Sequence, residues 1–202
     1  MQPDTFYHIY NHANGNENLF RNDNNYNYFL QRYVHFIAPV ADTYAYCLMP
    51  NHFHFLVKIK SEDQLLAIPG KGTKHCKGFT PSKAYPTIDK YVIGKFADLF
   101  NGYAQAYNKL YERKGSLFRH PFKRKPIIDD DYLAEIIRYI HSNPVHHGFT
   151  KELEDWQHSS FFYFLNTRKT FLKLNEVIEI YNSFDEFLNL HKQTVQLKIN
   201  EF

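Results

Sequence analysis

The stretch "TYAYCLMPNHFHFLVKI", Thr43–Ile59, contains two runs of apolar and aromatic residues joined by a short Met-Pro-Asn connection. Such runs are typical of β-strands, and the short connection predicts that they pair as an antiparallel hairpin. Side chains of a strand point alternately to opposite faces, so His52 and His54 share one face while the phenylalanines share the other. The pattern therefore predicts a strand that packs on the core with one face and carries two imidazoles on the other.

The segments on either side of this hairpin extend the pattern to a whole fold. We predict a strand at Phe6–His12, a helix from Asp23 or Asn24 to Pro39, strands at Thr43–Met49 and His52–Ile59, a helix over Tyr91–Tyr107 that Gly115 ends, a strand within "SLFRHPFKRKPII", and a helix over "DDDYLAEIIRYIHSNP" that Pro144 ends. This order indicates an α+β protein with a ferredoxin-like split β-α-β antiparallel sheet and helices on one face.

Two segments fall outside that core order. Residues 61–89 are rich in Gly, Pro and Lys, which favours an inserted surface loop that folding does not require. We accordingly divide the chain into a domain of residues 1–165, interrupted by this loop, and a C-terminal helical extension of residues 166–202.

Composition narrows the class of protein. The chain has 202 residues, of which 44% are hydrophobic, enough for a substantial core. No apolar run is long enough to span a membrane, and the first residues do not resemble a secretion signal. The two cysteines form no disulfide framework, so we expect a cytoplasmic protein that does not contact membranes.

A basic segment points to nucleic acid as a partner. Between Lys109 and Lys125 there are seven Lys or Arg residues against one Glu, with aromatic residues between them. Cations can contact phosphates while aromatic rings stack on unpaired bases, although a solvated basic surface would look the same. The residues expected to contact DNA are Arg113, Lys114, Arg119, Lys123, Arg124 and Lys125.

Two pairs of polar residues suggest a metal-dependent site. His52 and His54 could bind one metal ion, or be ordinary polar residues on a solvated sheet face. Tyr139 and Asn143 are four residues apart and so share one face of the last helix. The carbonyl oxygen of an Asn suits Mg²⁺ or Mn²⁺, and a tyrosine one turn away could attack a bound phosphate. Taken singly, Tyr139 could instead be a packing residue, and Asn143 could simply end the helix.

Four motifs in order give the sequence a family resemblance. The segments "YCLMPNHFHFLV", "GSLFRHPFKRK", "DDDYLAEIIRYIHSNPVHHGF" and "WQHSSFFYF" resemble those of the REP-associated tyrosine transposases, which are HUH single-strand DNA transposases. The resemblance covers most of the chain outside the inserted loop. Two departures are Arg119, where the family usually has Gln, and His146-His147, in place of a common Arg-Ala.

The resemblance implies an HUH endonuclease fold and a specific chemistry. It makes His52, His54 and Asn143 the ligands of Mg²⁺ or Mn²⁺, and Tyr139 the nucleophile that forms a 5′-phosphotyrosine intermediate. It implies single-stranded or hairpin DNA as substrate, and it leaves a homodimer and a monomer both open.

Three alternatives remain at this stage. A metal-dependent nuclease that uses water would need the histidines but not Tyr139. A catalytically inactive or domesticated DNA-binding protein would need neither. A zinc site could add His75 and Cys76 from the loop.

Overall fold

A four-stranded antiparallel sheet forms the centre of the molecule. The computed structural model describes residues 1–67, 82–83, 86–129, 131–166 and 169–193. The strands are β1 (Phe6–His12), β2 (Ala41–Met49), β3 (His52–Ile59) and β4 (Lys123–Ile127), in the spatial order β2-β3-β1-β4. All neighbours are antiparallel, which is the arrangement of a ferredoxin-like split β-α-β fold. The predicted α+β fold is therefore confirmed.

Helices cover both faces of this sheet, whereas the sequence pattern predicts them on one face. The difference arises because the last predicted helix also buries its apolar residues against the face that holds the histidines. They are α1 (Asp23–Ile37), α2 (Glu62–Leu66), α3 (Ile88–Leu110), α4 (Asp131–His146), α5 (Phe161–Leu165), α6 (Leu174–Ile180) and α7 (Phe184–His191), with a 3₁₀ turn at Leu153–Asp155. None of the described helices combines the length and the apolarity that crossing a membrane requires.

The first face of the sheet packs against α1 and α3, as expected for this fold. Phe53 and Phe55 of β3 are buried there against Phe29 of α1 and Phe100 of α3. Burying each such ring contributes roughly 1.5–3 kcal/mol from the hydrophobic effect. The alternation of His and Phe in β3 therefore fixes which face of the strand joins the main core.

The second face packs against α4. Ile136, Ile137 and Ile140 of this helix form a second apolar cluster with Cys47 of β2 and Leu56 of β3. Helices α6 and α7 join the same cluster, with the buried side chains of Val177 and Phe187. This face thus carries a helix directly above the strand that holds the two histidines.

Several predicted boundaries differ from the structure. Part of the predicted loop is helical: Ser61 caps the short helix α2, whose Leu65 is buried, and α3 begins at Ile88 rather than Tyr91. Residues 68–81 and 84–85 of that loop, including His75 and Cys76, lie outside the described residues. Within the basic segment, β4 is the part that forms a strand. The residues before β4 make isolated hydrogen bonds instead, such as the bond from the Arg119 N–H to the His12 carbonyl.

The predicted end of the last helix is wrong by two residues. Helix α4 continues through Pro144 to His146. Proline lacks the N–H that would bond to the carbonyl four residues earlier, but one missing bond in the final turn does not stop the helix. The His147 N–H bonds to the Asn143 carbonyl at 3.0 Å and closes the last turn.

Candidate active site

The two histidines of β3 face a row of ring side chains on β1. The antiparallel register places Tyr10 opposite His54 and His12 opposite His52. Because directly opposed residues in a sheet project to the same side, all four rings lie on the α4 face. The His52 and His12 rings are parallel, with centroids 5.8 Å apart, and the Tyr10 and His54 rings are also 5.8 Å apart.

Helix α4 brings Tyr139 and Asn143 onto the same histidines. The Asn143 Oδ1 atom lies 3.1 Å from His52 Nε2, and the Tyr139 ring is 5.7 Å from the ring of His54. Both residues of α4 are buried, with 5% of Tyr139 and 1% of Asn143 exposed. The structure therefore brings together the four side chains that the sequence singles out, from two elements distant in the chain.

Further hydrogen bonds fix how the two histidine rings are oriented. His52 Nδ1 lies 2.8 Å from Asn51 Oδ1, and His54 Nδ1 lies 3.0 Å from Nε2 of the buried His8 on β1. Histidines that bind metals usually hold the distal ring nitrogen in such a bond, which sets the tautomer and aims the other nitrogen. This arrangement leaves the Nε2 atoms as the ones that could coordinate an ion.

Burial keeps these imidazoles neutral. It lowers the pKa of His52 to about 4, an effect that the Asn143 oxygen partly offsets because it favours the protonated ring. It lowers the pKa of His8 to about 3, with a smaller contribution from Lys125, and it lowers that of His54 well below the ordinary value. A metal-binding imidazole must be neutral, so both β3 histidines are in the required form near pH 7.

The donor set fits a hard divalent cation that also takes water or phosphate oxygens as ligands. Adjacent ligands of an octahedral ion with bonds of 2.0–2.1 Å lie roughly 3 Å apart. The separation of 3.1 Å between His52 Nε2 and Asn143 Oδ1 matches this spacing. Within the described ranges, no group of three or more His, Cys, Asp or Glu side chains forms a metal-binding cluster, so the set depends on the amide of Asn143 as its third donor.

Basic residues of β4 border the histidines on the same side of the sheet. Lys123 pairs with Tyr10 and Lys125 with His8, which places both lysines on the α4 face. The Lys125 Nζ atom lies 5.6 Å from the centre of the Tyr10 ring. Arg124 pairs with Ile9, so it projects to the opposite face, where its guanidinium lies 5.4 Å from the Phe122 ring.

The other three basic candidates lie before β4. Lys114 and Arg119 are exposed. Arg113 is half-buried and holds its own loop together, because its guanidinium donates to Asn108 Oδ1 at 2.9 Å and lies 3.4 Å from the Glu17 carboxylate. The predicted DNA contacts of all six residues stay predictions, with Lys123 and Lys125 the best placed beside the histidines.

Sequence reasoning missed the contribution of β1 and of the residues that end α4. His8, Tyr10 and His12 alternate along β1, and this alternation was visible in "FYHIYNH". In a ferredoxin-like sheet the first strand lies beside the third, so the alternation could have located them near the β3 histidines. His147, whose ring is 4.9 Å from that of His52, had no comparable signal because it follows the helix.

Comparison with solved structures defines the class of fold. The chain matches the structure of a REP-associated tyrosine transposase bound to a REP hairpin with a TM-score of 0.58, over 88% of this chain and 88% of that one. The sequence identity is 15%, so this match concerns the fold. The chain therefore has the HUH endonuclease fold that the motifs indicate.

Sequence comparison finds a curated protein that is similar to this chain. The chain is 31% identical over 120 residues to a protein of Haemophilus influenzae assigned by name to the REP-associated tyrosine transposases. The match spans 59% of this chain and 58% of the length of that relative. No family model matches the chain. The chain is thus similar to REP-associated tyrosine transposases in sequence over 120 residues and in fold over 88% of its length.

Proposed function

We propose that the protein is a metal-dependent transposase or endonuclease that cuts and rejoins single-stranded DNA through a 5′-phosphotyrosine intermediate. The observation that carries this proposal is the 3.1 Å approach of Asn143 to His52, with Tyr139 one helical turn away and packed on His54. A tyrosine, an amide and two neutral imidazoles are the groups that such a reaction requires.

Each group has a distinct task. His52, His54 and Asn143 would hold Mg²⁺ or Mn²⁺, which would draw charge from the phosphoryl oxygens of the scissile group. The Tyr139 hydroxyl would give its proton to water and its Oη atom would bond to phosphorus, while the bond from phosphorus to the 3′ oxygen of the preceding nucleotide would break. That oxygen takes up a proton and leaves as a 3′-hydroxyl. Another 3′-hydroxyl can then attack the phosphotyrosine and join two strands, because the phosphotyrosine ester retains the energy of the phosphodiester bond that was cut.

The surroundings of the site support DNA as the substrate. Lys123 and Lys125 are exposed and place positive charge beside the histidines, where a DNA backbone would pass. Phosphate contacts of this kind give affinity for nucleic acid. The relative in the REP-hairpin complex supports hairpin DNA as the partner of this chain as well.

The experiment that tests the proposal compares single-stranded hairpin DNA from the flanks of the gene with a plain duplex of the same sequence. With Mn²⁺ we expect the hairpin to be cut and the duplex to be left intact. His54→Ala should abolish cutting while retaining most of the DNA affinity, since binding depends on phosphate contacts elsewhere. Equal cutting of the duplex, or normal cutting by His54→Ala after chelation, would refute the proposal.

A further inference from the structure

A cavity lies beside the candidate active site, at the turn that joins β2 to β3. Its volume is about 540 Å³, which is within the usual size range of small-molecule sites. Its walls come from three separate segments: the start of α1 with the residues before it, the β2–β3 turn, and the segment Asp155–His158. The last segment includes the first three residues of the Trp-x-x-Ser-Ser element, Trp156–Ser160, to which the proposed cleavage reaction assigns no task.

Aromatic rings form the inner wall of this cavity. The His158 ring stacks on Tyr26 with centroids 3.6 Å apart and planes 2° apart. Trp156 meets His158 edge-on, and its indole N–H donates to the Leu48 carbonyl at 3.0 Å, which fixes the indole in place. Trp156 and His158 are both half-buried, so a rigid aromatic surface faces a space that is open to solvent.

Polar side chains form the rim. Asn18, Asn22 and Gln157 contribute amides, and Asp23 and Asp155 contribute carboxylates, all of them exposed. Amides can both donate and accept, as the edge of a nucleobase does, and Asn and Gln are the side chains that pair with two atoms of an adenine edge. A flat aromatic wall with an amide rim therefore matches the face and the edge of an unpaired base.

The position of the cavity suits a nucleotide that neighbours the scissile phosphate. Pro50 lines the cavity, and the next residue, Asn51, is the hydrogen-bond partner of His52 Nδ1. Trp156 also packs against Phe149, with ring centroids 5.7 Å apart, just beyond the end of α4. One strand could thus lie on the histidines and place a nearby base in the cavity.

We propose that this cavity binds one unpaired base of the DNA strand, next to the candidate active site. The inference rests on the proposed function for its choice of DNA as the ligand. Stacking on Trp156 or His158 would hold the base, and the amides of Asn18 and Gln157 would contact its edge.

The fluorescence of Trp156 can test this proposal. Trp156 is the one tryptophan in the sequence, so intrinsic tryptophan fluorescence reports on the cavity wall alone. The probes are the octanucleotides dA8, dC8 and dT8 and an abasic octamer with the same sugar-phosphate backbone, each added to saturation to the full chain. We expect at least one base-bearing octamer to quench Trp156 strongly and the abasic octamer to leave its emission nearly unchanged. Equal quenching by the abasic octamer, or no quenching by any octamer that binds, would overturn the proposal.

A pair of double variants tests the rim. Asn18→Ala with Gln157→Ala removes two exposed amides from the cavity, while Asn101→Ala with Gln105→Ala removes two exposed amides from α3 as a matched control. We expect the cavity variant to bind the best base-bearing octamer roughly tenfold more weakly, within the range for loss of one hydrogen-bonded contact to a base edge. Its affinity for the abasic octamer, and both affinities of the control, should stay at the parent value. An equal loss for both octamers would assign these residues to backbone contacts and refute the base site.

The base site and the proposed cleavage reaction can be refuted independently of each other. Quenching and octamer affinity require no metal and no cutting, so they are measured with a chelator present. Base-dependent quenching without any cleavage of hairpin DNA would leave the base site standing and remove the catalytic proposal. Cleavage of hairpin DNA with equal quenching by the abasic and base-bearing octamers would support the catalytic proposal and remove the base site.

Discussion

Buried histidines should make the fold sensitive to acid. Burial lowers the pKa of His8 to about 3 and the pKa values of His52 and His191 to about 4, and it lowers those of His54 and His141 well below the ordinary value. Above the unfolded pKa of about 6.5, both the folded and the unfolded chain carry neutral imidazoles. As the pH falls below that value, the unfolded chain binds protons that the folded chain does not bind, so the free energy of unfolding decreases.

The size of the effect follows from the shift. For one histidine with a pKa near 4 in the folded chain, lowering the pH from 7.5 to 5.0 removes about 2 kcal/mol of stability. His8, His52 and His191, acting independently, would together remove about 6 kcal/mol, which is a large part of the stability of a typical domain. His54 and His141 act in the same direction, so we expect the chain to lose much of its stability by about pH 5.

His191 allows one contribution to be measured by itself. Its Nε2 atom lies 2.9 Å from Nδ1 of His141, and both side chains are buried between α4 and α7, away from the candidate metal ligands. His191→Leu loses this hydrogen bond at every pH, so its constant cost cancels when two pH values are compared. The decrease in stability from pH 7.5 to 5.0 should be about 2 kcal/mol smaller in His191→Leu than in the parent.

Urea unfolding followed by circular dichroism, with a chelator present, provides the measurement. Gln105→Leu serves as the control, because Gln105 is exposed and does not titrate, so its replacement should leave the decrease unchanged. A parent chain that is equally stable at pH 7.5 and 5.0, or a His191→Leu variant with the full parental decrease, would show that burial does not keep these imidazoles neutral.

Three further predictions concern the site and the loop. His8→Phe removes the partner of His54 Nδ1 and should weaken Mn²⁺ binding roughly 10- to 100-fold in calorimetry; unchanged affinity would argue against His54 as a ligand. Replacing Lys123 and Lys125 together by Ala should weaken hairpin binding and reduce the slope of log affinity against log salt concentration by about two, as measured by fluorescence anisotropy. Arg124→Ala, on the opposite face of the sheet, should change this slope less. Equal effects would mean that the face with the two lysines does not guide the DNA backbone. Replacing residues 68–81 by a short linker should leave the far-ultraviolet circular dichroism and cooperative unfolding intact, and a chain that fails to fold would give this loop a structural task.

The sequence predicted the strands of the sheet better than its helices. The bounds of β1 and β3 agree with the prediction because both strands are rich in aromatic and apolar residues and end at polar residues or turns. Helix ends depend on single capping bonds, which composition does not reveal. The bond from the Gln64 N–H to the Ser61 side chain, for example, starts a helix inside a segment that reads as a loop.

The candidate site was predictable only in part. His52 and His54 stand two residues apart, and Tyr139 and Asn143 one turn apart, so local periodicity brings each pair together. The contact between the two pairs depends on how α4 crosses the sheet, and here the motif resemblance supplied what periodicity could not. His8 was missed because its bond to His54 depends on the register of two strands that are far apart in the sequence.

The division of the chain into residues 1–165 and an extension from residue 166 stays a prediction. In the structure, Val177 of α6 and Phe187 of α7 are buried in the same apolar cluster as Ile137 of α4. His191 of α7 is hydrogen-bonded to His141 of α4, which in turn lies 2.7 Å from the Ser160 hydroxyl. The described part of the extension thus supports the helix that carries Tyr139.

The most direct test of the catalytic proposal is to map the covalent adduct. Hairpin DNA labelled on the strand 3′ to the cut is incubated with Mn²⁺, and the denatured product is digested and sequenced by mass spectrometry. We expect the 5′ phosphate to be joined to Tyr139 in the parent and in Tyr132→Phe. Tyr139→Phe keeps the ring that packs on His54, so it should fold and bind DNA yet form neither adduct nor cut strand. An adduct on another tyrosine, or cleavage without any adduct, would contradict the proposal.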